Sequence, residues 1–203
     1  MDRARFDRII AQTLEAFPEA SDIILTAGRR VQAEVHGALA DAPLDPDPGP
    51  LDPAATRAAA SLLLAGNKRL ARDLAEHGSC DLSYSLAGKA RFRVNVFKQR
   101  RTLAVVMRRL PTRVPTMAEL GLPPVFADMA REQFGLVLVT GGTGTGKSNS
   151  LAALIDAVNE TSPVHVITLE DPVEFTHSHK KATVNQREMG TDFDYFAQAL
   201  RAA

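Results

Sequence analysis

The sequence predicts two kinds of fold in one chain: an α+β N-terminal half on a mostly antiparallel sheet, then the opening of a parallel α/β sheet. Three observations carry this. The stretch "ARFRVNVFKQ" alternates apolar and polar residues, the period of a half-buried strand. The stretch "PTRVPTMAELGLPPVF" holds four prolines and divides the chain. Beyond it, the glycine-rich "GGTGTGKS" (141–148) stands between a short apolar run and a helical periodicity.

Taken in order, Ile9, Ile10, Leu14 and Phe17 fall near helical spacing and predict a helix over 3–16. "ASDIILTAGRRVQAEVHGAL" predicts two strands around a turn at Ala27–Gly28. "DAPLDPDPGPLDP" (41–53) has five prolines in thirteen residues and reads as loop, because proline donates no backbone hydrogen bond. Helices are expected over 54–64 and 67–77. "CDLSYSL", a turn at Ala87–Gly88, "ARFRVNVFKQ" and "TLAVVMRRL" follow as strands. Phe92, Val94 and Val96 take the inner face of the second, and Arg91, Arg93 and Asn95 the outer. After a linker over 111–133, "GLVLVT" (135–140) reads as a strand buried on both faces. "KSNSLAALIDAVNE" reads as a helix with Leu151, Leu154, Ile155 and Val158 on its packed face, and "VHVITL" (164–169) as a second buried strand. Strand, helix, strand opens a parallel α/β sheet.

Lys+Arg and Asp+Glu both number 24, and a net charge of zero argues against a chain-wide polyanion binder. Hydrophobic residues are 45% of the chain, as in globular proteins. The lone Cys80 makes no internal disulfide and fits a reducing compartment. No apolar run reaches the ~18–20 residues of a membrane span, and "MDRARFDRII" lacks the apolar core of a signal peptide. A cytoplasmic protein is expected.

Gly141-x-x-x-x-Gly146-Lys147-Ser148 satisfies the P-loop pattern, with the strand before and helix after that the motif requires. Backbone N–H groups of Gly141, Gly142, Thr143, Gly144, Thr145 and Gly146 would turn in around phosphates, and the helix dipole adds positive potential there, with Asn149 in its first turn. Lys147 would reach the β- and γ-phosphates and Ser148 would ligate Mg²⁺, so ATP with Mg²⁺ is the expected ligand. In "TLEDPVEF" (168–175), Glu170 is the first acid past the apolar run, at the strand end where open α/β sheets bind ligands. A carboxylate there can orient and deprotonate an attacking water, while Asp171 could share the magnesium shell. Position alone leaves an ordinary polar strand exit open.

Between Lys89 and Arg113 stand nine Lys/Arg and no acid. That face could bind nucleic acid, present arginines to a neighbouring subunit's phosphates, or simply be solvated. Phe92 and Phe97 sit at opposite parities, so interleaved aromatics for base stacking are missing. His165, His177 and His179 read as surface histidines, because no cysteine or paired carboxylate completes a metal ligand set.

The runs "ASDIIL…GRRVQAEVHG", "ARFRVNVFKQRR", "GLVLVTGGTGTGKS", "VITLEDPVEF" and "ATVNQREMGTD" resemble, in order, the type IV pilus retraction ATPases, the PilT family of the type II/type IV secretion ATPases. "LEDPVEF" and "NQRE" are the selective elements; the P-loop is generic. The resemblance implies a PAS-like N-terminal domain (1–110), the linker, and the first part of a RecA-like ATPase domain (134–203). It implies ATP hydrolysis by a homo-hexamer at the cytoplasmic face of the inner membrane, acting on a platform protein without direct nucleic-acid contact. The catalytic glutamate falls on Glu170, and the N-domain arginines that approach nucleotide fall on Arg93, Arg101 and Arg108. Departures are Gly142 where proline is usual, Asn149 where threonine is common, and Thr102 after Arg101 where glycine is usual.

"FDYFAQALRAA" resembles the start of the family's next helix, with Phe193, Phe196, Ala197 and Leu200 on one face. The Walker B strand and His box would follow it, so the chain is expected to be the front of a longer protein. In isolation it would bind nucleotide weakly, without steady hydrolysis. Alternatives are a pilus-assembly or type II secretion ATPase, a DNA-translocating ring, and a catalytically incompetent interaction module. The short segment before "ASDIIL" favours retraction.

Overall fold

A computed structural model describes all 203 residues, which form two compact units, Met1–Leu110 and Pro111–Ala203. In the first, α1 (Arg3–Ala16) starts at Asp2, whose carboxylate accepts from the Arg5 N–H at 2.8 Å. It buries Phe6, Ile9, Ile10, Thr13 and Leu14, one stripe at 3.6-residue spacing. The buried Thr13 hydroxyl donates to the Ile9 carbonyl at 2.8 Å.

Three strands follow where two were expected: β1 (Asp22–Leu25), β2 (Gln32–Val35) and β3 (Ala38–Asp41). The extra strand exists because His36 and Gly37 both take positive φ (51° and 81°), the requirement of a two-residue primed hairpin turn. The proline-rich loop then leads to α2 (Pro53–Leu64), capped by Asp52 and with proline in its first turn. α3 (Lys68–Glu76) is capped by Asn67.

β4 (Ser79–Leu86), β5 (Ala90–Gln99) and β6 (Thr102–Leu110) complete an antiparallel sheet of order β3-β2-β1-β6-β5-β4. Phe92, Val94, Val96, Val105 and Met107 are fully buried in the core with Phe6 and Ile10. Phe6 meets Tyr84 edge-on at 5.4 Å, and the Tyr84 hydroxyl donates to Asp7, tying α1 to β4. Burial, then Asp73 and Asp81, pushes the Cys80 thiol up to about 11, so it acts as a packing group rather than a nucleophile.

In the second unit, the expected linker holds local structure. Thr116 and Glu119 bond reciprocally, each backbone N–H to the other's side chain at 2.8 and 3.1 Å, and Arg113 joins the Glu119 carboxylate at 2.9 Å. A short α4 (Val125–Met129) follows Pro123–Pro124. α5 (Lys147–Thr161), β7 (His165–Glu170), β8 (Thr183–Glu188) and α6 (Phe196–Arg201) follow, with β7 and β8 paired in parallel.

Several expectations fail here. Residues 135–140 form no ladder, and Leu136 and Leu138 are 83% and 74% exposed. A strand buried on both faces needs flanking strands, and β7 pairs only with β8. On α5 the buried residues are Ala152, Ala153 and Asn159, while Leu151 is exposed and Leu154, Ile155 and Val158 are half-buried. On α6 only Ala199 is buried; Phe193 is buried ahead of the helix, whereas Phe196, Ala197 and Leu200 are exposed. No helix is long and apolar enough to cross a membrane.

Candidate active site

The P-loop runs from residue 141 into α5. Gly146 caps that helix at φ +90°, a left-handed position that a side chain would strain. A Cβ on Gly141 would come within 2.9 Å of the Thr145 hydroxyl, so that glycine keeps the loop closed. The Lys147 ammonium and the Thr145 hydroxyl both donate to the Gly142 carbonyl, at 2.6 and 2.8 Å. α5 has no side-chain cap and no acid in its first turn. Its leading N–H groups and positive dipole end are therefore available to an anion.

Ser148, in the first turn of α5, lines a cavity of about 360 Å³ with Glu170, Asp171, Glu174 and His177, against an apolar wall of Leu151, Ile155 and Phe175. Glu170 is the last residue of β7 and half-buried. Its Oε1 accepts from the Thr168 hydroxyl at 2.7 Å and from Gln186 Nε2 at 2.9 Å. Glu188 is buried and accepts the Val173 N–H at 3.1 Å, pinning the turn that follows Glu170. A held carboxylate beside a phosphate cradle can orient and accept a proton from water.

The family described as "Type II/IV secretion system protein" matches residues 54–203. The chain belongs to that family. Among its relatives, the type IV pilus ATPase PilU of Pseudomonas aeruginosa is 41% identical over 181 residues, 89% of this chain and 46% of PilU. The type IV pilus retraction ATPase PilT of the same organism is 47% identical over 137 residues, 68% of this chain and 40% of PilT. A crystal structure of the pilus retraction motor PilT with bound ADP superposes with a TM-score of 0.84 at 40% identity, covering 97% of this chain and 55% of that one. The chain thus spans about half the length of these secretion-family relatives, and the PilT-family resemblance read from "LEDPVEF" and "NQRE" holds.

Of the residues singled out in this secretion-family sequence, the second unit brings Ser148, the last residue of the P-loop motif, and Glu170 to one cavity, with the exposed Asp171 also lining it; residues 141–147 do not line it. The three arginines lie in the first unit. Arg93 and Arg108 face each other across β5 and β6. Arg93 Nε lies 3.5 Å from Asp81 and Arg108 Nε donates to the buried Asp22 at 3.0 Å. Arg101 sits in the tight β5–β6 turn, where both Arg100 and Arg101 take positive φ (41° and 65°), which defines the path left open by the missing glycine. His177 corrects the reading of surface histidines: its side chain is 2% exposed, with Nδ1 3.7 Å from Asp156. A buried imidazole here fills the space between the 171–177 loop and α5. His165 and His179 are exposed; His165 bonds Asn185 at 2.7 Å, and His179 Nδ1 accepts the Val184 N–H at 3.1 Å. Sequence reasoning misses Gln186 and Asn159. The "NQRE" run marks Gln186, but its partner is revealed only by the β7–β8 register, which sets it opposite Thr168.

Proposed function

We propose that this chain forms the nucleotide-binding part of an ATP-hydrolysing motor for type IV pilus retraction. The observation that carries the proposal is the single cavity lined by Ser148, at the phosphate cradle, and by Glu170, at the carboxyl end of β7. The ADP bound in the matched PilT structure supports ATP as substrate.

In this reading the backbone of residues 141–146 wraps the phosphates and Asn149 extends the first turn of α5. Lys147 exchanges the Gly142 carbonyl for the β- and γ-phosphate oxygens. The Ser148 hydroxyl, which lines the cavity beside Glu170, is the hard oxygen donor that would hold Mg²⁺. When bound, that ion neutralises charge developing on the phosphate oxygens. Glu170 orients the attacking water and takes its proton.

The proposal extends to residues 1–110 as a PAS-like domain, 111–133 as a linker and 134–203 as the N-terminal portion of a RecA-like ATPase domain. Arg93, Arg101 and Arg108 would reach nucleotide on a neighbouring subunit of a homo-hexamer. That ring would work at the cytoplasmic face of the inner membrane on a platform protein. The names of the PilT and PilU relatives support a type IV pilus role over secretion, and that of PilT supports retraction.

The test compares ADP and ATP binding and single-turnover ATP hydrolysis in wild type, Lys147→Ala and Glu170→Gln. Lys147→Ala is expected to lose nucleotide binding. Glu170→Gln is expected to keep it and to lose about 10²–10⁴-fold in hydrolysis. Wild-type hydrolysis in Glu170→Gln, or no nucleotide binding by the wild-type chain, overturns the proposal.

A further inference from the structure

We propose that Gln186 is the positioning residue that aims the Glu170 carboxylate, a role that rests on reading Glu170 as the group that orients water. β8 runs parallel to β7 with Gln186 opposite Thr168, two residues short of Glu170. The Gln186 amide has two N–H donors, and both are used: Nε2 donates to Glu170 Oε1 at 2.9 Å and to the Phe175 carbonyl at 2.7 Å. Its Oε1 accepts the His177 N–H at 2.8 Å.

These partners fix which end of the amide is oxygen. A flipped amide would set oxygen against oxygen twice and N–H against N–H once. One side chain therefore joins the last residue of β7 to both ends of the Phe175–His177 segment, which lines the same cavity.

The pattern on Glu170 is asymmetric. Thr168 Oγ1 and Gln186 Nε2 both bond Oε1, and Oε2 makes no hydrogen bond. Two donors on one oxygen set the rotation of the carboxylate and leave its second oxygen to accept from water. The obvious substitutes do not reproduce the arrangement: leucine supplies no donor, asparagine is one methylene short, and glutamate places a second carboxylate against the first.

The test uses the full chain as wild type, Gln186→Leu, Gln186→Glu and Glu170→Gln, with Mg·ADP affinity and single-turnover ATP hydrolysis measured for each. Both Gln186 variants are expected to bind ADP within about twofold of wild type. They should hydrolyse about 10–100-fold more slowly with little change in KM, as losses of supporting hydrogen bonds around reactive groups do. Gln186→Glu sets a second carboxylate against Glu170 and should lose more than Gln186→Leu, which removes the donor without adding charge. A purely structural role predicts no such difference between the two variants. Wild-type hydrolysis in Gln186→Leu beside an inactive Glu170→Gln overturns the proposal. Wild-type hydrolysis in Glu170→Gln instead removes the reading beneath it. The Gln186 side-chain amide resonances read the bond independently of turnover: Glu170→Ala should shift them, and an unmoved pair overturns the proposal even where no hydrolysis is measured.

Discussion

Asn159 is the fully buried polar residue of α5, and replacing it tests how the 178–182 segment is held. Its Nδ2 donates to the Ser178 carbonyl at 2.8 Å and its Oδ1 accepts the Lys180 N–H at 3.1 Å. Its backbone carbonyl takes the Lys181 and Ala182 N–H groups, at 2.8 and 3.1 Å, and these survive substitution. Asn159→Ala thus deletes two side-chain bonds, each contributing about 0.5–1.5 kcal/mol net. Ser178 and Lys180 are exposed, so water can reach the stranded partners and the full desolvation penalty does not apply. The expected cost is about 2 kcal/mol, read as urea unfolding of the second unit. Amide exchange at Lys181 and Ala182 should rise about 30-fold. Asn159→Asp keeps an acceptor for Lys180 but sets oxygen against the Ser178 carbonyl and buries a charge, so it should cost at least as much. A loss under about 0.5 kcal/mol in Asn159→Ala, the range of an ordinary surface change, refutes the reasoning.

Gly142 lies outside the positive-φ region, and a Cβ there meets Thr145 Cγ2 at an ordinary 3.8 Å. Gly142→Ala should therefore stabilise the second unit by about 0.4–1 kcal/mol through the unfolded chain, measured by denaturant unfolding. In the first unit, Phe92 is fully buried beside Tyr84, with ring centroids 6.4 Å apart, and Phe92→Ala should cost about 3–5 kcal/mol in thermal or urea unfolding. The Arg113 guanidinium, with the Thr116 N–H and hydroxyl, holds the Glu119 carboxyl down at about 2 from an ordinary 4.5. A depressed carboxylate contributes above its unfolded value and loses that contribution as pH falls through its folded value. The Thr116–Glu119 turn should accordingly loosen between pH 4.5 and 2, seen as a carboxyl carbon titration of Glu119 that moves up in Arg113→Ala.

Much of the first unit is legible in the sequence because its signals are local. Asp2, Asp52 and Asn67 each mark a helix start by a side-chain bond two or three residues long. The alternation of 90–99 needs only neighbouring strands that the same unit supplies. The third strand escapes such a reading because His36 is an unusual occupant of a positive-φ turn. In the second unit the P-loop is legible as a motif, yet the apolar run before it misleads. Apolar composition says what a segment would bury, not whether a partner strand stands beside it. The packed stripe of α5 misleads for a related reason: Ala152, Ala153 and Asn159 are its buried residues, the last bonded to the 178–180 backbone, whereas size-weighted periodicity favours the leucines. The Gln186–Glu170 bond spans two strands whose register no single stretch encodes.

The Gly142 carbonyl receives both Lys147 and Thr145, so the cradle carries an internal stand-in for its guest. In the proposed function an incoming phosphate would change places with that carbonyl instead of meeting idle donors. The exchange would nearly cancel in hydrogen bonds and be decided by charge: a full anion would displace a neutral carbonyl from an ammonium, and an uncharged nucleoside would not.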